Sequence, residues 1–354
     1  MKSKDIKSIN STEIAKIAGL SRSTVSRVIN QHPNVKGKTR EKILNLIEQY
    51  GYTPNLSARV LAGKRADTIG LFFVPGTNSP NFAGDTQADF MLACIAEAAS
   101  QNGFLTLTNI VRNIHEPENV KRIRDIFYEG RIDAGIFIGC PDQVPIIEEL
   151  VASGFILGIL DQNPQGRNES NRIIVNYDDG SAEKAVDYLV SLGHRRIMGI
   201  HGDLKRYNGL QKYHSFLRGM EKHDLEVKKE WQLFPGFQHL SSYSMMEDFL
   251  NRSKELPTAM FCANDSIAWG VMDALKKAGL SIPGDLSIIG MDDSSFSALL
   301  SPPLTTFRVD FQEVLGTLTK KVIEHVATPS DELVRIAFES DLVMRGSCRT
   351  ICVW

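Results

Sequence analysis

Nine short apolar runs rich in β-branched and aromatic residues, spread over residues 68–307, alternate with stretches of helical periodicity. They are TIGLFFV, LTLTNI, AGIFIG, FILGIL, RIIV, RIMGIH, AMFC, LSIIGM and LTTF. Segments such as Gln87 to Ala99 and Ser181 to Leu192 carry the 3.6-residue spacing between them. Strands that alternate with helices predict parallel, doubly wound sheets, because each parallel pair needs a crossover. About 280 residues is generous for one such sheet and comfortable for two.

The first 65 residues read differently. They hold 13 Lys/Arg against 4 Asp/Glu, whereas the remainder holds 27 against 38. A small basic end on a large acidic body points to a polyanionic partner for the first part alone. The stretch MKSKDIKSINSTEIAK has charge but no apolar run after it, so no secretory signal is expected, and no run approaches the length of a membrane span. Five scattered cysteines, of which only Cys348 and Cys352 are close, indicate neither a zinc site nor a disulfide framework; a cytoplasmic setting is expected.

Within the basic segment, Asn10 followed by Glu13 reads as a capping box, with Ile14, Ala15, Ile17 and Ala18 as one apolar stripe and Gly19 as the stop. Ser21 then caps a second helix whose Val25, Val28 and Ile29 face inward, leaving Arg22, Ser23, Ser26 and Arg27 outward. Two helices joined by a tight Gly turn form a helix-turn-helix, although αα-hairpins of this kind also serve purely for packing. In the DNA-binding reading Arg22 and Ser23 meet base edges and Arg27 suits guanine, while Thr24, Ser26 and Asn30 suit phosphates. A third helix is expected from Thr39 to about Tyr50, with Ile43, Leu44, Leu46 and Ile47 inside.

The segments STEIAKIAGLSRSTVSRVIN, TREKI and YGYTPNLSARVLAGKR resemble the LacI/GalR family of bacterial repressors. VDYLVSLGHRRI, PTAMFCANDSIAWGVMDALKKAGLSIPGDLSIIGMDD and PPLTTFRVDF extend the resemblance almost to the end. It implies a multidomain chain: an all-α helix-turn-helix headpiece (1–53), a hinge helix (54–65), and an α/β periplasmic-binding-protein-like core of two doubly wound subdomains. The expected subdomains are 66–175 with 293–327 and 176–292 with 328–344, followed by a tail, 345–354. Chain crossings are expected near 173–178, 290–295 and 325–333.

The resemblance further implies DNA contacts from Thr12, Ser57, Ala58 and Leu61, the leucine wedging into the minor groove. A short isolated helix is marginal in water, so the hinge is expected to fold only on DNA beside a second subunit. The bland reading of that segment is a flexible linker. The partners implied are palindromic double-stranded operator DNA, a second copy of the chain, and a small carbohydrate-like effector; no cofactor, no metal and no membrane are expected. With only Thr350 to Trp354 after LVMRGSCR, too little remains for a heptad tail, so a homodimer is expected.

The resemblance implies effector contacts from Phe82, Asp161, Arg206, Lys212 and Phe237, and Asp265 joins them as a candidate from its place in the sequence. Asp265, directly after the strand AMFC, is placed to accept ligand hydroxyls, and its neighbour Asn264 to cap the following helix. Each phenylalanine has plain core packing as its alternative. Lys212 stands where the family usually carries Arg, and Ser215 where Gly is usual, which puts a point charge in place of a planar fork. His194 in LGHRR has no neighbouring nucleophile motif, and no catalytic residue is expected. The rival readings, a solute-binding module and an enzyme with a DNA-binding head, are separated from a repressor by salt-sensitive sequence-specific DNA binding without ligand turnover.

Overall fold

The computed structural model describes residues 9–29, 32–52, 65–75, 86–177 and 180–351, in two compact units, Met1–Ala66 and Asp67–Trp354. The first unit contains α1 (Ser11–Ala18), α2 (Arg22–Ile29) and α3 (Gly37–Gln49). The capping box is present: the Asn10 side chain accepts from the Thr12 and Glu13 amides, and Glu13 accepts from the Asn10 amide at 2.9 Å. Gly19, at φ 65°, closes α1 in the left-handed region. Ile14, Ala15, Ala18, Val25, Val28 and Ile43 form the core.

Two residues expected inside are not. Ile17 is 45% exposed and Leu44 49%. Each lies about 100° or more around its helix from the centre of the buried stripe, and three short helices bury only a narrow face.

The second unit holds two sheets with one connectivity pattern. The first comprises β1 (Thr68–Phe73), β2 (Leu105–Ile110), β3 (Ala134–Ile138), β4 (Ile156–Leu160), β5 (Arg172–Asn176) and β11 (Arg335–Ala337), in the order β11-β5-β4-β3-β1-β2. The second comprises β6 (Ile197–Ile200), β7 (Gln232–Leu233), β8 (Ala259–Cys262), β9 (Ser287–Asp292), β10 (Thr305–Arg308) and β12 (Asp341–Val343), in the order β12-β10-β9-β8-β6-β7. Apart from the antiparallel β10–β12 pair, the ladders are parallel. All nine expected runs are strands; β7, β11 and β12, of two or three residues, are too short to show a period.

Helices cover both faces, as parallel sheets require. The first sheet packs α4 (Thr86–Gln101) and α11 (Phe311–Ala327) on one side, α5 (Pro117–Tyr128) and α6 (Pro145–Ala152) on the other. The second sheet is enclosed by α7 (Ser181–Ser191), α8 (Tyr207–Lys222), α9 (His239–Arg252) and α10 (Asp265–Lys277). Asn264 caps α10, its side chain accepting from the Ile267 amide at 2.8 Å.

The crossings correct the expectation. The first follows β5, but β10 extends the second sheet, with Thr305 opposite Ile289, so the second crossing lies between Arg308 and Phe311, well past 290–295. β11 pairs with β5 in the first sheet, so the third lies between Ala337 and Asp341 rather than at 325–333. Two sheets of similar composition give a strand no sequence signal for which of them it joins. The ladder hydrogen bonds decide it.

Gly270 sets the approach of α9 to α10: a Cβ there would lie 2.2 Å from the His239 carbonyl oxygen and 2.2 Å from Ser242 Oγ. Gly270→Ala is expected to cost about 1–3 kcal/mol by overpacking. A drop in the urea midpoint checks it.

Candidate functional site

The headpiece presents one polar face. Val25 and Val28 anchor α2 to the core, so Arg22, Ser23, Ser26 and Arg27 project outward as their spacing requires, all exposed. Thr12 is exposed at the start of α1. Ser21 Oγ accepts from the Thr24 amide at 3.2 Å and lies 2.8 Å from the hydroxyls of both Ser23 and Thr24. That cluster fixes the N-terminus of α2, and it engages two hydroxyls that the sequence assigned to DNA. Asn30, Ser57, Ala58 and Leu61, and with them the expected hinge helix, lie outside the described residues.

The second unit encloses a cavity of about 740 Å³, solvent at its mouth included, at the carboxyl ends of strands from both sheets. The first sheet contributes Phe73 at the end of β1, Gly139 and Cys140 after β3, Asp161 after β4 and Tyr177 after β5. The second contributes Asn264 and Ser266 after β8 and Asp292 at the end of β9, with Arg206, Asn208 and Lys212 from the start of α8 and Phe237 from the loop before α9. Strand ends where the order reverses are the favoured ligand position of doubly wound sheets.

Of the sequence candidates, Asp161, Arg206, Lys212 and Phe237 meet on these walls. Phe82 lies outside the described residues. Arg206 reaches across the cleft, its Nη2 donating to the Val74 carbonyl at 3.0 Å, with its guanidinium 5.7 Å from the Phe237 ring. Two more bonds span the cleft: the Asp142 amide donates to the Lys205 carbonyl at 3.1 Å, and Ser294 Oγ to Gln87 Oε1 at 3.1 Å. Lys212 is 1% exposed; its ammonium donates to the Ala263 carbonyl at 3.1 Å, stands 3.9 Å from Asp292 Oδ1 and 5.4 Å from the Tyr177 ring. Ser215, also buried, has a local role: its hydroxyl accepts from the Glu183 amide at 3.0 Å.

Asp265 is a correction. Its carboxylate is 0% exposed and is absent from the cavity wall; Oδ2 accepts from the Ser294 amide at 2.8 Å and Ser297 Oγ at 2.6 Å, and Oδ1 accepts from Thr306 Oγ1 at 2.6 Å. Burial pushes its pKa up to about 6 even though these three donors pull it down. The side chain ties α10 to β10 and to the loop after β9. The strand-end rule selected the correct neighbourhood, but α10 turns Asp265 inward while Asn264 and Ser266 face the cavity.

Asp292, which sequence reasoning missed, is the aspartate that the second sheet brings to the wall, opposite Asp161 from the first. It occupies φ 105°, and Asp161 occupies φ 61°, backbone conformations that are costly without glycine and that concentrate at ligand sites. The signal was available: GMDD ends a strand just as AMFCAND does. Asn208 was missed as well, because one residue of an amphipathic helix carries no mark of what it faces.

His194 is buried away from the cavity. Its ring lies 3.0 Å from Thr258 Oγ1, 2.9 Å from Ser287 Oγ and 3.1 Å from the Arg349 carbonyl, pinning the C-terminal segment to the second sheet. Desolvation lowers its pKa, which favours the neutral ring. Among the described residues, no helix is long and apolar enough to cross a membrane.

Known proteins show the same two parts. Residues 12–55 match the model of bacterial regulatory proteins of the lacI family, and residues 186–348 that of a periplasmic binding protein-like domain. The chain is 31% identical over 341 residues to the probable HTH-type transcriptional repressor ExuR of Bacillus subtilis (strain 168), covering 96% of this chain and 98% of that one. It has the same identity and coverage with the HTH-type transcriptional repressor PurR of Actinobacillus pleuropneumoniae serotype 3 (strain JL03). In fold it is similar to the lac repressor dimer bound to operator and the anti-inducer ONPF, with a TM-score of 0.80, 24% identity, and coverage of 97% of this chain and 100% of that one. The capped helix-turn-helix, the paired doubly wound sheets and full-length likeness to named repressors together place the chain in the LacI family of bacterial regulatory proteins.

Proposed function

We propose that the chain is a transcriptional repressor that acts in the cytoplasm as a homodimer, binds a palindromic operator through two headpieces, and changes its grip when a small sugar-like effector occupies the core cleft. The observation that carries this reading is the exposed Arg22, Ser23, Ser26 and Arg27 face of α2, which is matched to the edge chemistry of the major groove. Two-fold protein symmetry then reads two-fold DNA symmetry.

The cleft supplies the second half of the device. Arg206, Lys205 and Ser294 bridge the two subdomains directly, so a ligand that competes with or reinforces those bonds binds one arrangement better than the other. A coupling of about 1–3 kcal/mol changes operator affinity about 5- to 150-fold. The cleft binds its ligand without turning it over. Burial pushes the Cys140 thiol up to about 12, so it stays protonated and is a poor nucleophile.

Leu61→Ala tests the operator half of the reading. Specific binding is expected to fall at least about tenfold while non-specific binding is nearly unchanged, because a lost wedge removes the bent-DNA contacts but few phosphate contacts. Equal losses on specific and non-specific duplexes, compared at one salt concentration, count against it.

A further inference from the structure

We infer that Asn208 and Lys212 select a neutral, polyhydroxylated ligand over an anionic one, an inference that rests on the effector-cleft reading above. The two residues stand four apart on α8 and so share the face that forms the cavity wall. Tyr177 organises both: its hydroxyl accepts from Asn208 Nδ2 at 2.6 Å, and its ring lies beneath the Lys212 ammonium. With the amide nitrogen held, Asn208 Oδ1 is left buried with no hydrogen-bond partner among the described residues. A buried acceptor in that state costs about 1–3 kcal/mol until something donates to it.

Lys212 offers the complement. One of its three protons goes to the Ala263 carbonyl, while Asp292 at 3.9 Å balances its charge from beyond hydrogen-bond range. Protons therefore remain for a ligand oxygen. A hydroxyl group both accepts from the ammonium and donates to the Asn208 oxygen. A carboxylate or phosphate only accepts, and leaves Asn208 unsatisfied.

Charge points the same way. Lys212 faces Asp292, Arg206 has Asp203 at 4.0 Å, and Asp161 adds a further carboxylate to the wall. An anionic group entering this space meets cations that already face carboxylates, and it lies beside Asp161 and Asp292 on the same wall. The faces of Phe73, Met91 and Phe237 provide the apolar surface against which the C–H side of a sugar ring packs.

The experiment is thermal unfolding and calorimetric titration of the full-length protein with matched pairs at about 10 mM, where even millimolar binders register. The probes are D-glucose, D-galactose, D-mannose and D-ribose against D-glucuronate, D-galacturonate, mannose 6-phosphate and ribose 5-phosphate. At least one neutral member is expected to stabilise the protein, with its charged counterpart at least about tenfold weaker. Asn208→Ala is expected to weaken that neutral ligand about tenfold or more, and Asn208→Asp, which keeps an oxygen acceptor in place, by no more than about threefold. The unliganded melting temperature of each variant reports folding separately. Tighter binding by any charged counterpart overturns the neutral-ligand assignment while leaving the effector cleft standing. The assignment is also overturned if no neutral member binds, in which case operator selection decides the regulator reading independently.

Discussion

Asp265→Ala is expected to lower the unfolding free energy by about 3–5 kcal/mol, because it strips three donors of their acceptor inside the second sheet's core and leaves the Ser294 amide buried and unpaired. Asp265→Asn is expected to cost far less. Its amide oxygen can take the place of Oδ2 and its nitrogen can donate to the Thr306 hydroxyl. The pair also carries a pH signature. The folded-state pKa, about 6, lies above the ordinary 3.8, so the folded chain binds this proton more tightly. Stability from this group is therefore greatest at low pH and falls as pH rises from about 4 to about 6, by roughly 3 kcal/mol. Urea unfolding across that window checks it: the difference between wild type and Asp265→Asn should change with this slope and be flat above it. A pH-independent difference, or an alanine variant as stable as wild type, contradicts the assignment. Any loss of effector response in Asp265→Ala then arises through the loop that carries Ser294 to Gln87, since the carboxylate itself does not reach the cavity.

Arg27→Ala is expected to reduce operator affinity about 10- to 100-fold and to relax preference at one base position, the signature of a lost bidentate contact of about 1–3 kcal/mol. Lys16, exposed in the last turn of α1, is the contrast. Lys16→Gln is expected to weaken specific and non-specific duplexes together and to lower the salt slope by about one. Anisotropy titrations at several salt concentrations separate the two behaviours. A uniform loss for Arg27→Ala would make it a phosphate contact.

Much of this architecture was legible because it rests on local chemistry. The Asn10–Glu13 box, Gly19, and the period of Val25 and Val28 specify the headpiece through contacts a few residues long. Nine strands were legible from β-branched runs between turns. Hidden from that reading was whatever depends on long-range partners. The sheet that claims LTTF is decided by the β9 ladder, and the face that Asp265 shows is decided by Ser294, Ser297 and Thr306, up to 41 residues away. Asn208 becomes visible as a site only because Tyr177 takes one end of its amide and leaves the other unpaired.

The central claim is that the exposed face of α2 reads a two-fold DNA sequence. The most direct measurement is selection of bound duplexes from a randomised pool by the full-length protein at two salt concentrations, followed by sequencing. A palindromic motif with a deformable central step, enriched at both concentrations, is the predicted result. Retention that collapses at the higher salt with no enriched motif would contradict it, leaving a basic surface that holds any polyanion.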